Sequence, residues 1–175
     1  MQFGALIVAA GMSSRMGEFK PMLNIGSISI AQRIVATLRQ SGVTRIVMVT
    51  GHNARELEHH LANNGLIFLR NEQYRTTQMF ASAKIGLEYL KDKCDGILFT
   101  PVDIPLFTAS TVSALMDCGA RLVCPVCEGK RGHPILIGTE LVDTILAYRG
   151  EGGLGGAIEH LSLIHISEPT RLRRI

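Results

Sequence analysis

The chain has 175 residues, 46% of them apolar and 19% charged, with a formal charge of +3 at pH 7. That suits one globular domain able to bury roughly two thirds of its unfolded surface. The charge is too small to indicate a nucleic-acid partner, and no apolar run approaches the ~20 residues of a membrane span.

The first apolar run, residues 5–10, ends in Gly11 and predicts a strand buried on both faces. No basic flank precedes it, so it is read as a strand and not a secretory leader, and a cytoplasmic location is expected. After a glycine-containing loop, Ile30, Ile34, Val35 and Leu38 mark one face of a helix that stops near Gly42. Arg45–Thr50 is the next strand. Asn53 is expected to cap a short helix carrying Leu57 and Leu61, and residues 66–69 follow as a short strand. Met79, Phe80, Ala83, Leu87 and Leu90 line a longer helix. Residues 96–100 are another buried strand, halted by Pro101. Thr108 is placed to cap a helix with Val112, Leu115 and Met116 on one side. Residues 121–125 and 134–137 are further strands, and Leu141, Ile145 and Leu146 announce a helix.

Four cysteines are present, and Cys124 and Cys127 form a C-x-x-C. No second such pair or suitably spaced histidines complete a zinc cage, so both are read as buried thiols at a strand end. The closing stretch, Leu-Ser-Leu-Ile-His-Ile-Ser-Glu-Pro-Thr-Arg from residue 161, resembles the translation of a sequencing-library transposase adapter. The native domain is therefore expected over residues 1–160, incomplete at its C-terminus, with residues 161–175 a non-native tail. The alternation of strands and helices predicts an α/β fold: a three-layer α/β/α sandwich on a mostly parallel sheet. In such sheets ligands sit beyond the carboxyl ends of the strands.

The residues able to do chemistry fall at those ends. Ala9, Ala10 and Gly11 leave a backbone that a nucleotide can approach closely, and Met12 and Ser13 continue the turn. Arg15 and Lys20 add two cations matched to a polyphosphate. The spacing from Gly11 through Gly17 to Lys20 fits neither the P-loop nor the dinucleotide fingerprint. Asp103, in Thr-Pro-Val-Asp-Ile-Pro-Leu, offers a hard oxygen to Mg²⁺ on a turn stiffened by Pro101 and Pro105. His133 stands between Gly132 and Pro134 at a strand start, with Arg131 close by. Ser82 lies in a polar segment, residues 71–86, that also carries Tyr74, Thr76, Thr77 and Gln78.

The run A-A-G-M-S-S-R-M-G-x-x-K over residues 9–20 resembles the signature of the MobA/MocA-like nucleotidyltransferases. The resemblance spans residues 3 to 160. It implies a nucleotide-diphospho-sugar-transferase-like fold and in-line attack by an acceptor phosphate on the α-phosphorus of CTP or GTP. Pyrophosphate leaves, and the acceptor in this family is molybdopterin. Arg15 and Lys20 correspond to the triphosphate-holding residues, Asp103 to the Mg²⁺ ligand of the D-x-P turn, and His133 and Arg131 to the acceptor side. Ser82 corresponds to a serine contacting cytosine, and the Ala9-Ala10-Gly11 form to the cytidylyltransferase branch. The glycine-rich run at residues 150–156 resembles a substrate-side loop opening a helix. Hand-over of product to a molybdoenzyme is a further implication. The family's closing D-x-D-T-P-like segment, source of a second metal-binding aspartate, has no counterpart here. A sugar-phosphate nucleotidyltransferase and an NTP-binding or chaperone module without turnover stand as competing readings.

Overall fold

The computed structural model describes residues 1–12, 18–164 and 173–174. At the centre of a seven-stranded sheet lies β1 (Phe3–Ala9). A hairpin of β2 (Asn24–Ile25) and β3 (Ile28–Ser29) leads into α1 (Ile30–Gln40). That helix starts where two residues satisfy each other's backbone: Gln32 N–H donates to Ser29 Oγ at 3.2 Å, and Ser29 N–H to Gln32 Oε1 at 2.9 Å. It stops just before Gly42, whose φ of +85° suits a residue without a Cβ.

β4 (Arg45–Thr50) pairs parallel with β1. α2 (Ala54–His60) then carries the chain to β5 (Ile67–Arg70), parallel to β4. α3 (Met79–Leu90) returns it to the other side of β1, where β6 (Gly96–Pro101) adds in parallel. The order therefore reverses direction at β1, leaving a crevice between β1 and β6 at their carboxyl ends.

α4 (Ala109–Asp117) precedes β7 (Leu122–Cys124). A small hairpin of β8 (Val126–Cys127) and β9 (Lys130–Arg131) separates β7 from β10 (Ile135–Gly138). So short a connection reverses the chain, and β10 runs antiparallel to both β6 and β7. α5 (Val142–Ala147), α6 (Gly153–Ile164) and β11 (Arg173–Arg174) follow, the last parallel to β7. Helix α6 passes through residue 160, and Leu161 is buried within the core.

Strand alternation divides the core into two layers. Ala5, Ile7, Ile46 and Met48 pack beneath α1, α2 and α4 through Ile34, Leu38, Leu57, Val112 and Leu115. Leu6, Val8, Val47, Val49 and Phe99 face α3, α5 and α6 through Leu87, Leu90, Ile145, Leu154 and Ile158. The expected three-layer α/β/α sandwich on a mostly parallel sheet is what forms.

Two local expectations are corrected. Asn53 occupies the position before α2, but with φ of +51° and without a side-chain capping bond; Thr108 before α4 does cap, accepting from Thr111 N–H at 3.2 Å. Cys124 is buried on β7, whereas Cys127 is exposed on the hairpin, and neither is in a disulfide. Among the described residues no helix is long and apolar enough to cross a membrane.

Candidate functional site

Parallel pairing sets the carboxyl ends of four strands side by side. Val8 pairs with Pro101 and Ala9 with Thr50, while Thr50 in turn pairs with Arg70. Val102 N–H donates to Val8 C=O at 3.0 Å, and Asn71 N–H to Thr50 C=O at 2.8 Å, extending both contacts past the strands. The loops leaving β1, β5 and β6 thereby enclose a cavity of about 210 Å³.

Its wall holds residues distant in sequence. Ala9, Ala10 and Gly11 contribute the end of β1, and Lys20 the start of a 3-10 turn (Lys20–Met22). Tyr74, Thr77 and Gln78 come from the turn before α3, Ser82 from the first turn of α3, and Asp103 from the loop after β6. Lys20 and Asp103, the two charges expected to share a polyphosphate, thus face one cavity. A Cβ at Gly11 would meet no atom of the described residues within 4 Å, so packing does not demand glycine there. The missing side chain leaves room at the cavity wall.

The other expected residues are placed differently. Met12 is exposed and not part of the cavity lining. Ser13 and Arg15 lie outside the described residues. His133 is half-buried beyond the lining, its ring centroid 5.9 Å from that of Phe99. Burial pushes its pKa down, favouring the neutral imidazole, and the nearby Asp103 carboxylate opposes this in part. Arg131 points to α6 instead, forming an exposed ion pair with Glu159 at 3.7 Å.

Asp103 is exposed, and among the described residues it makes no hydrogen bond or ion pair. Nor does any group of three or more His, Cys, Asp or Glu side chains gather there that could cage an ion. A carboxylate unpaired among the described residues and facing this cavity fits Mg²⁺, which retains waters and takes further oxygens from phosphates. It does not fit zinc, which requires a fuller set of protein ligands.

Sequence reasoning named the residue 71–86 segment but gave Asn71 no part. In the structure Asn71 is buried and organises that wall: Nδ2 donates to Thr77 Oγ1 at 3.0 Å and to Ser82 Oγ at 2.9 Å, while Oδ1 accepts from Gln73 N–H at 3.0 Å. The backbone donor at Gln73 fixes which way the amide faces. Since Ser82 Oγ already accepts from Asn71, its own O–H remains to donate into the cavity. An asparagine two residues past the strand predicted at 66–69 was the available signal.

The described residues thus set a bare strand-end backbone, one lysine and one aspartate around a cleft at the strand-order reversal. Residues 5–165 match the MobA-like NTP transferase domain, and the chain belongs to that family. It is 30% identical over 119 residues to the bifunctional protein GlmU of Staphylococcus haemolyticus, covering 67% of this chain and 26% of that protein. The chain thus spans about a quarter of the length of such curated relatives. Among solved structures, a nucleotidyl transferase from Methanothermobacter thermautotroptrophicus superimposes with a TM-score of 0.81 at 21% identity, over 98% of this chain and 85% of that one. The manganese complex of Rv0371c from Mycobacterium tuberculosis H37Rv gives a TM-score of 0.76 at 18% identity, over 100% and 87%. At these identities the structural likeness speaks for the fold.

Proposed function

We propose that the protein is a Mg²⁺-dependent nucleotidyltransferase that moves CMP from CTP to the phosphate of a small acceptor, with molybdopterin the favoured acceptor, and releases pyrophosphate. The observation that carries this reading is the convergence of Lys20, Asp103, Ser82 and the Ala9–Ala10–Gly11 backbone on one cavity.

Both reactants are anionic, so positioning and charge neutralisation must supply most of the acceleration. Lys20 holds the triphosphate, joined by Arg15 from the same loop. Asp103 holds Mg²⁺, consistent with the manganese reported for the Rv0371c relative. Bound there, the ion neutralises charge on the phosphates. The Ser82 hydroxyl donates to an acceptor atom on the base; O2 and N3 of cytosine offer such atoms, and the Ala9-Ala10-Gly11 form supports CTP over GTP. His133, whose neutral form burial favours, is suited to a hydrogen bond with the acceptor. No general base is required, because a phosphate monoester is already ionised near neutral pH. Arg131 can serve the acceptor through the guanidinium N–H groups not turned to Glu159. The activity is assigned to residues 1–160, against whose core Leu161 packs. Delivery of the product to a molybdoenzyme completes the reading.

The test is pyrophosphate release from CTP and from GTP, with molybdopterin or a sugar phosphate as acceptor, with and without Mg²⁺. Release with CTP and molybdopterin alone supports the full assignment. Release only with a sugar phosphate overturns the acceptor, and tight nucleotide binding with no release in any mixture overturns the enzymatic reading.

A further inference from the structure

Behind the cavity wall sits a residue that no motif accounts for. His52 leaves the carboxyl end of β4, between the β1 loop on one side and the turn after β5 on the other. Its ring meets Phe19 edge-on, with centroids 5.8 Å apart at 72°, and lies tilted against Tyr74 at 6.1 Å and 54°. Phe19 directly precedes Lys20, and Tyr74 lines the cavity. The backbone of the same residue donates to Ala10 C=O at 3.4 Å. One place along it, Gly51 makes the approach possible: a Cβ there would stand 2.7 Å from Tyr74 Cβ and 2.9 Å from Ala10 O.

We propose that His52 is a positioning residue for the nucleotide, its ring holding the Phe19–Lys20 segment and the Tyr74 turn at a fixed separation across the cavity. This rests on the nucleotide-site reading above. The two walls belong to different loops, and among the described residues no strand pairing joins them directly. A ring wedged between them fixes their spacing before the ligand arrives, so less ordering is left for binding to accomplish. Aromatic contacts of this kind act through shape, so a benzene ring should replace the imidazole.

The experiment is calorimetric titration of CTP with Mg²⁺ into the full chain, alongside thermal melting, for wild type, His52→Ala, His52→Phe and Phe19→Leu. Losing two ring contacts should weaken CTP binding about tenfold in His52→Ala. His52→Phe should restore it to within about threefold, and Phe19→Leu should lose several-fold. Combining Phe19→Leu with His52→Ala should add less than the sum, because both remove one contact. Should His52→Ala fail to fold, His52→Phe and Phe19→Leu still decide the matter. Wild-type affinity in both His52→Ala and Phe19→Leu, or affinity in His52→Phe as poor as in Phe19→Leu, overturns the positioning role while leaving the nucleotide site standing. A wild-type protein that binds no nucleotide removes the site reading, and this inference with it.

Discussion

Asn71 Nδ2 donates to Ser82 Oγ at 2.9 Å, tying the exit of β5 to the first turn of α3. The bond occupies the serine oxygen as an acceptor and leaves its O–H available to donate at the cavity wall that Ser82 lines. Asn71→Ala deletes this bond and two others from a buried position, leaving Gln73 N–H and Ser82 Oγ without these partners, while Thr77 Oγ1 keeps its bond to Gln73 C=O. A stability loss of about 1–3 kcal/mol is expected, measured by urea denaturation, with a several-fold weaker nucleotide affinity by titration. Unchanged affinity would show that Ser82 is placed by α3 alone.

Asp103→Asn separates function from folding. The side chain is exposed and has no hydrogen bond or ion pair among the described residues, so the variant should melt within about 0.5 kcal/mol of wild type. Metal-dependent pyrophosphate release should fall at least ~100-fold, the scale of losing a charge-stabilising group. Retention of most turnover would sink the metal assignment.

Gly11→Val tests the space at the wall. Its added atoms meet no described residue within van der Waals range at Cβ, so folding should be little changed. Nucleotide affinity should drop at least tenfold, because the side chain occupies the approach to the β1 backbone. Equal CTP titrations for the two proteins would place the phosphates elsewhere.

Gly86→Ala has two opposed effects. Alanine gains about 1 kcal/mol of helix propensity over glycine. Its Cβ would, however, stand 2.1 Å from Leu6 Cδ1 and 2.8 Å from Cδ2, on a leucine with no exposed surface. Overpacking a core costs about 1–3 kcal/mol, so net destabilisation is expected. A raised melting temperature would show that α3 can lift from β1 at little cost.

Acid sensitivity should arise partly at Glu58. Its hydrogen bond from Arg70 is the main cause of a lowered carboxyl pKa; burial opposes the shift, and the bond from Thr50 adds to it. A carboxylate with a lowered folded-state pKa contributes stability above its ordinary pKa of 4.5, and that contribution disappears as pH falls through the lower folded value. The pair is partly exposed, so the effect is modest. Glu58→Gln should therefore be less stable than wild type at pH 7 and converge with it as pH falls below the ordinary carboxylate range. A constant difference in melting temperature across that range would exclude this linkage.

Several elements were readable because their cause is local. The continuous apolar run into β1, the glycine after α1 and the threonine before α4 each act on their own backbone, and each element formed within a residue or two of expectation. The β8–β9 hairpin was not foreseen, since two-residue strands carry almost no periodicity. Asn53 illustrates the opposite error. Its residue type favours capping, yet its backbone turns left-handed and the side chain leaves the helix start unbonded.

The sequence by itself determined the layers, the parallel core strands and the identity of Lys20 and Asp103 as charges at strand ends, because burial patterning and loop chemistry are carried by neighbouring residues. Only the tertiary structure decided that these two charges face one cavity and that Arg131 pairs with Glu159. It alone showed Asn71 bonded to Thr77 and Ser82, and the His52 ring against Phe19 and Tyr74. Such relations depend on which strands lie side by side, and the reversal of strand order at β1 brings together loops far apart in the chain.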